Sequence, residues 1–165
     1  MLHRWAAFPG QRGPARAGKV LADTSRESKY GRGVGSKGRP YRTLVLDGFE
    51  VLVGRGDEDN DHLTFDVAEP RDLWLHVAGG TPGSHVIVRN PDDVEIPRSV
   101  VEAAAAAAAW YSKARSARSV EVHVCRASDV RKPRGSPAGL VELARYKSLR
   151  VRPALPASSG SLKNP

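Results

Sequence analysis

Cysteine occurs once, at Cys125, so no intrachain disulfide can form and no cysteine-based zinc site can be assembled. That scarcity suits a reducing compartment, and the cytoplasm is the expected location. Long apolar runs are also missing. The longest candidate, Ala103 to Ala109, falls far short of the ~20 residues of a membrane span, so no membrane role is expected. Met1 to Gly10 is too poor in apolar residues for a signal peptide, and Pro9, Gly10, Gly13 and Pro14 interrupt any amphipathic transit-peptide helix. No internal repeat is visible.

Acidic residues are outnumbered. The 165 residues carry 26 Lys and Arg against 18 Asp and Glu, a net charge of +8. Such a balance favours polyanionic partners, nucleic acid above all; the competing reading is a general bias toward Arg, Ala, Gly and Pro. The charge is unevenly distributed: +7 over residues 1–40, −8 over 41–102 and +9 over 103–165. A fold that keeps these segments apart presents one basic face and one that repels polyanions.

Hydrophobic residues make up 40%, enough for one domain with a modest core. Residues 1–38 are rich in Gly, Pro, Arg, Lys and Ser and poor in aliphatics, and are expected to form a disordered basic arm. The domain is placed at 39–153, and residues 154–165 read as a flexible tail. Within the domain, Leu44–Leu46 and Phe49–Val53 flank Asp47-Gly48, a strong hairpin signal. A short helix is expected from Asp57–Asn60 through Phe65, with Asn60 as a cap, and Pro70 closes it. Strands are expected at 73–77 and 84–89, separated by the Gly79–Gly83 loop. Pro97 and the Ser99-x-x-Glu102 capping box open a long alanine-rich helix running to about Lys113. Lys113 and Arg115 then lie at its negative end, while Trp110 and Tyr111 are read as packing it against the sheet. Val120, Val122 and Val124 alternate as in a half-buried strand, and 139–143 and 148–151 complete the set. The fold class is α+β with a mostly antiparallel sheet, one long alanine-rich helix and a short helix.

Chemistry-bearing residues concentrate in a few places. In a strand, Asp72, Trp74 and His76 share one face and Leu73, Leu75 and Val77 the other. The leucine face is the evident core. The first suits an aromatic stacked on a base, although Trp74 beneath the helix and a His76–Asp72 hydrogen bond are an equal alternative. Ser84 and His85 follow a glycine-rich loop whose N–H groups can meet a phosphate. Asp72, His76 and His85 invite comparison with an acid/base or metal site, but their spacing matches no metal motif, and adjacent Ser84 and His85 face opposite sides of a strand. Arg131, Lys132 and Arg134 occupy a Pro/Gly loop of the kind that grips phosphates. Lys147, near Arg145, Tyr146, Arg150 and Arg152, extends the basic region or guards an edge strand. Arg55 follows a glycine after a strand and has Asp57 or Asp61 as alternative partners.

The segments Val53-Gly54-Arg55, Asn60-Asp61-x-Leu63-Thr64, Asp72-Leu73-Trp74-Leu75-His76-Val77 and Pro82-Gly83-Ser84-His85-Val86 resemble, in order and spacing, the signature of the NFACT-R family. Ala103–Ala109 with Tyr111-Ser112, and Val130-Arg131-Lys132-Pro133-Arg134-Gly135 with Gly139-Leu140-Val141, are similar to its alanine-rich helix and its basic loop and strand. The resemblance covers roughly Gly38 to Pro153. It implies RNA binding without a cofactor, through Arg55, Asp72, Trp74, His76, Ser84, His85, Arg131, Lys132, Arg134 and Lys147. The family is best known as the C-terminal part of ribosome quality-control proteins that bind a stalled large subunit with a tRNA. The chain has no room for their other domains, so it is expected to be a free-standing short form that retains binding, with tRNA or ribosomal RNA as partner. DNA binding is the alternative within the binding class. A histidine-dependent enzyme of tRNA chemistry using Asp72, His76 and His85 is the alternative outside it; no enzymatic activity is expected.

Overall fold

Asp47 and Gly48 both take positive φ, 48° and 83°, as a type I′ turn requires. They join β1 (Tyr41–Leu46) to β2 (Phe49–Gly54) in full register from Tyr41↔Gly54 to Leu46↔Phe49. The computed structural model describes residues 40–156; the expected arm of residues 1–38, and all of the expected tail beyond 156, lie outside the described residues. After β2 come a six-residue helix, α1 (Asp57–His62), and a π-helical turn over Leu63–Val67. Next are β3 (Leu73–Val77), β4 (Val86–Val88), α2 (Arg98–Trp110) and β5 (Val120–Arg126). The two-residue strands β6 (Val130–Arg131) and β7 (Glu142–Leu143) pair only with each other, and β8 (Lys147–Val151) ends the order. The main sheet runs β1-β2-β4-β3-β5-β8 with every neighbouring pair antiparallel.

The helix expected to be long has 13 residues, about 20 Å at 1.5 Å per residue. It stops at Trp110 because Ser112 onward is recruited elsewhere: Gly83 and Ser112 form an isolated bridge, with Lys113 N–H on the Pro82 carbonyl and Ser84 N–H on the Tyr111 carbonyl. Nor does the expected capping box form. Pro97 occupies the N-cap without a side-chain cap, and Glu102 instead accepts a 2.7 Å bond from Arg98 Nε. The alanines bury one helix face against β3, β4, β5 and β8. Because alanine carries no bulk beyond Cβ, the sheet's valines and leucines fill the layer between.

For the opposite sheet face, where base stacking and burial of Trp74 are equal alternatives, the structure shows burial, though not beneath the helix. Trp74, Leu52, Ile87 and Cys125 form a second buried cluster with Leu63 and Val130, covered by the π turn and by Val141 and Leu143. The central strands are thus sandwiched, and Trp74 is only 1% exposed. Its indole Nε1 donates to Thr64 Oγ1 at 3.2 Å, which meets the polar demand of a buried tryptophan. Trp74 is therefore a core residue and not a stacking platform, and it lies on the face away from α2.

Asp72 is also interior, and serves as a junction. Oδ1 accepts Asn90 N–H at 2.7 Å, while Oδ2 accepts Glu69 N–H and Arg89, both at 2.9 Å. Arg89 in turn donates to the Val67 carbonyl at 2.7 Å, fixing the end of the π turn. Removing one member of a buried ion pair strands the other and costs about 3–5 kcal/mol. Asp72→Ala is therefore expected to lower the unfolding free energy by about that amount in urea denaturation, with Asp72→Asn milder because it retains an acceptor.

Candidate nucleic-acid interface

Asn60, expected to be a helix cap, is buried at the end of α1 and pegs the loop before β4. Its Oδ1 accepts His85 N–H at 2.9 Å and its Nδ2 donates to the Gly83 carbonyl at 3.1 Å. Glycine at 54 makes room for this amide, since a Cβ there would run into Asn60 Oδ1. Gly83 is equally constrained: a Cβ would lie 2.8 Å from the Ser112 Cβ and 3.1 Å from Val77 Cγ2. Pro82 and Gly83 therefore form a fixed ridge, and a cleft opens on each side of it.

The first is a groove of about 390 Å³ whose lining includes Arg42, Arg55, Lys113 and Arg115 with Asp57 as the one acid, together with Ser84, Trp110 and Tyr111. Both aromatics are half-buried. The Arg42 guanidinium sits 4.7 Å from the centroid of Tyr111 and that of Arg115 sits 3.8 Å from Trp110. These distances fall within cation–π range, so the rings hold the guanidinium planes in place ahead of any ligand. Fixed guanidinium groups over aromatic rings suit both phosphate pairing and base stacking. Sequence reasoning assigned Trp110 and Tyr111 to helix packing and overlooked Arg42. The available signal was the density of aromatic and basic residues in Trp110-Tyr111-Ser112-Lys113-Ala114-Arg115.

The second is a cleft of about 410 Å³ lined by Trp74, His76, His85 and His123, the Gly79–Gly83 loop, and Leu140 and Val141. His76 pairs with His123 across β3 and β5, and its ring meets that of His85 edge-on at 5.2 Å. His85 Nδ1 lies 2.8 Å from Thr64 Oγ1, the same hydroxyl that accepts from Trp74. Burial drives the His85 pKa down to about 3, and His76 pushes the same way. Burial also lowers that of His76, with the backbone at Gly83 and Val77 acting in the opposite direction. His85 is consequently neutral at physiological pH.

The expected site residues divide accordingly. Arg55 and Ser84 line the groove, and Trp74, His76 and His85 line the cleft. Asp72 lines neither, and its carboxylate bonds to Arg89 and backbone amides, not to His76 or His85. Arg131, in β6, and Arg134, on the loop after it, are exposed, and Lys147 is half-buried on β8. Lys132 departs most from expectation. Its ammonium bonds Asp61 Oδ2 at 2.8 Å, the Pro137 carbonyl at 2.6 Å and the Leu140 carbonyl at 3.0 Å. Three donors with three partners make it the clasp of its own loop, not a phosphate ligand. Asp61 completes the clasp by accepting Gly139 N–H at 3.0 Å. Among the described residues no three His, Cys, Asp or Glu side chains are grouped to hold a metal, and no helix is long and apolar enough to cross a membrane.

Comparison with known proteins places these features in context. Residues 40–142 match the family described as NFACT protein RNA binding domain. The Rqc2 homolog RqcH of Streptococcus suis is 40% identical over 116 residues, covering 70% of this chain and 20% of its own length. That of Bacillus subtilis is 34% identical over 136 residues, covering 77% and 23%. The chain thus spans about a fifth of the length of these relatives. A solved structure, the C-terminal part of the fibronectin/fibrinogen-binding protein of Streptococcus suis, superposes with a TM-score of 0.64 at 35% identity, covering 78% of this chain and 51% of that one.

The depressed histidines set a pH dependence. Between the folded value near 3 for His85 and about 6.5 in the unfolded chain, only the unfolded state binds the proton. Stability is therefore full above pH 6.5 and falls as pH drops toward 3, by up to about 1.4 kcal/mol per unit for the buried His85. Denaturant titrations at pH 7.5 and 5 should show this loss, and His85→Gln should reduce it.

Proposed function

The chain belongs to the NFACT RNA-binding domain family, and from that premise we propose that it is an RNA-binding module whose RNA backbone lies in the Arg42–Arg115 groove. The observation that carries the reading is the groove itself: four cations to one acid, with two guanidinium groups held over Tyr111 and Trp110. Backbone charge supplies affinity and stacking supplies a preference for unpaired bases. Arg131 and Arg134, both exposed, are available to a further stretch of phosphates. We assign the module to structured RNA, tRNA or the large ribosomal subunit, in the setting of ribosome quality control, by analogy with the RqcH relatives. A reducing cytoplasm is the corresponding location. We further propose that it binds without catalysing: the acid a histidine-dependent enzyme needs is engaged with Arg89, and the most buried imidazole is neutral.

The test is a titration of the full chain against tRNA and an equal-length DNA duplex at several salt concentrations. Preference for tRNA is expected, and equal affinity would shift the reading to general polyanion binding. Arg42→Ala and Arg115→Ala should each weaken tRNA binding and reduce the slope of log K against log salt by about one unit. Lys132→Ala should lower thermal stability while leaving that slope unchanged; unchanged affinity in both arginine variants would sink the groove assignment.

A further inference from the structure

The cleft beyond the Pro82–Gly83 ridge is unlike the groove in one decisive respect: no Lys or Arg lines it. It is not built for phosphate. Its lining is mainly imidazole, glycine and apolar side chains, with Asp57, Asn60 and Thr81 as the polar exceptions; His76 and His123 pair across two strands, and Leu140 lies on the same cleft. The His76 ring packs against those of Trp74 and His85, with centroids 5.9 and 5.2 Å away. Tyr146, 52% exposed, lies on His123 with centroids 4.3 Å apart, extending the aromatic surface outward. Gly79 and Gly80 take φ of +75° and +68°, so this wall bends sharply without side chains that would narrow it. At about 410 Å³, the space suits a single nucleotide and not a duplex. The cleft and the groove share Asp57, Asn60, Pro82 and Gly83, so a strand with its phosphates in one has its bases within reach of the other.

We propose that the histidine cleft receives one unstacked nucleobase from the RNA strand whose phosphates occupy the basic groove, an inference that rests on the RNA-binding reading. The division of labour is chemical: guanidinium and ammonium groups hold the backbone on one side of the ridge, and imidazole and leucine surfaces hold a planar heterocycle on the other. The RNA selected is therefore one that presents an unpaired base, since a paired base cannot leave its stack without a cost.

The full chain, with carbon-13-labelled histidine, is titrated with each of the four ribonucleoside monophosphates and with ribose 5-phosphate, following the His76 and His123 ring signals by NMR. At least one nucleotide should shift both rings saturably, and ribose 5-phosphate should not. Leu140→Trp fills the mouth from a position 47% exposed, so the fold tolerates it; it should abolish those shifts and weaken tRNA binding about tenfold, the loss of one stacked base. Tyr146→Ala should weaken both in the same direction. Equal shifts with ribose 5-phosphate, no shift with any nucleotide, or wild-type tRNA affinity in Leu140→Trp would each overturn the proposal. A chain that still binds tRNA under any of those outcomes loses only this inference. A chain that binds no RNA loses the reading beneath it, and nucleotide shifts in that case would leave a mononucleotide pocket unconnected to a strand.

Discussion

Both clefts depend on the amide of Asn60. By accepting from His85 N–H and donating to the Gly83 carbonyl, this one side chain ties α1 to the loop entering β4. A buried backbone donor and acceptor find their partners in a single group, as an interior loop demands. The two neighbouring glycines follow from it: Gly54 leaves space for the amide, and Gly83 lets the loop meet Ser112 closely enough for the bridge that terminates α2. That termination in turn sets Tyr111 and Arg115 on the groove wall. The ridge and both flanking surfaces are thus one construction, organised by two hydrogen bonds.

The electrostatic design separates positioning from folding. Positive charge in the groove is held by aromatic rings, which orient guanidinium groups without neutralising them. Positive charge at Lys132 is consumed by Asp61 and two carbonyls, closing the loop that covers the second core. Arg89 is spent on Asp72 and the π turn in the same way. Net charge alone therefore overstates the number of cations available to a polyanion. The acidic middle segment supplies the carboxylate partners for these structural cations.

Much of the fold is legible in the sequence. Asp47-Gly48 gives the hairpin with its register, and the 73–77 and 120–124 alternations give central strands. The misreadings have a common cause, which is that period-2 patterning reports one buried face and is silent on whether the other is covered. Trp74 and Asp72 admit an exposed reading as readily as a buried one because the elements that cover their face, the π turn and the 130–143 segment, leave no mark on the strand's own alternation. Asn60 and Lys132 read as a cap and a phosphate ligand because each residue type commonly plays that role locally; their actual partners are 23 to 25 positions away for Asn60 and, for Lys132, in the distant α1. The groove was invisible for the same reason, since Arg42, Arg55 and Arg115 come from separate elements.

The central claim is that RNA lies across the groove between β1 and the end of α2. Photo-crosslinking of the full chain to a 4-thiouridine-substituted tRNA, with the modified peptides identified by mass spectrometry, tests it directly. The account predicts adducts in the segments carrying Arg42, Arg55 and Trp110 to Arg115. Adducts confined to residues 1–39, or to Arg145 through Arg152, would contradict it.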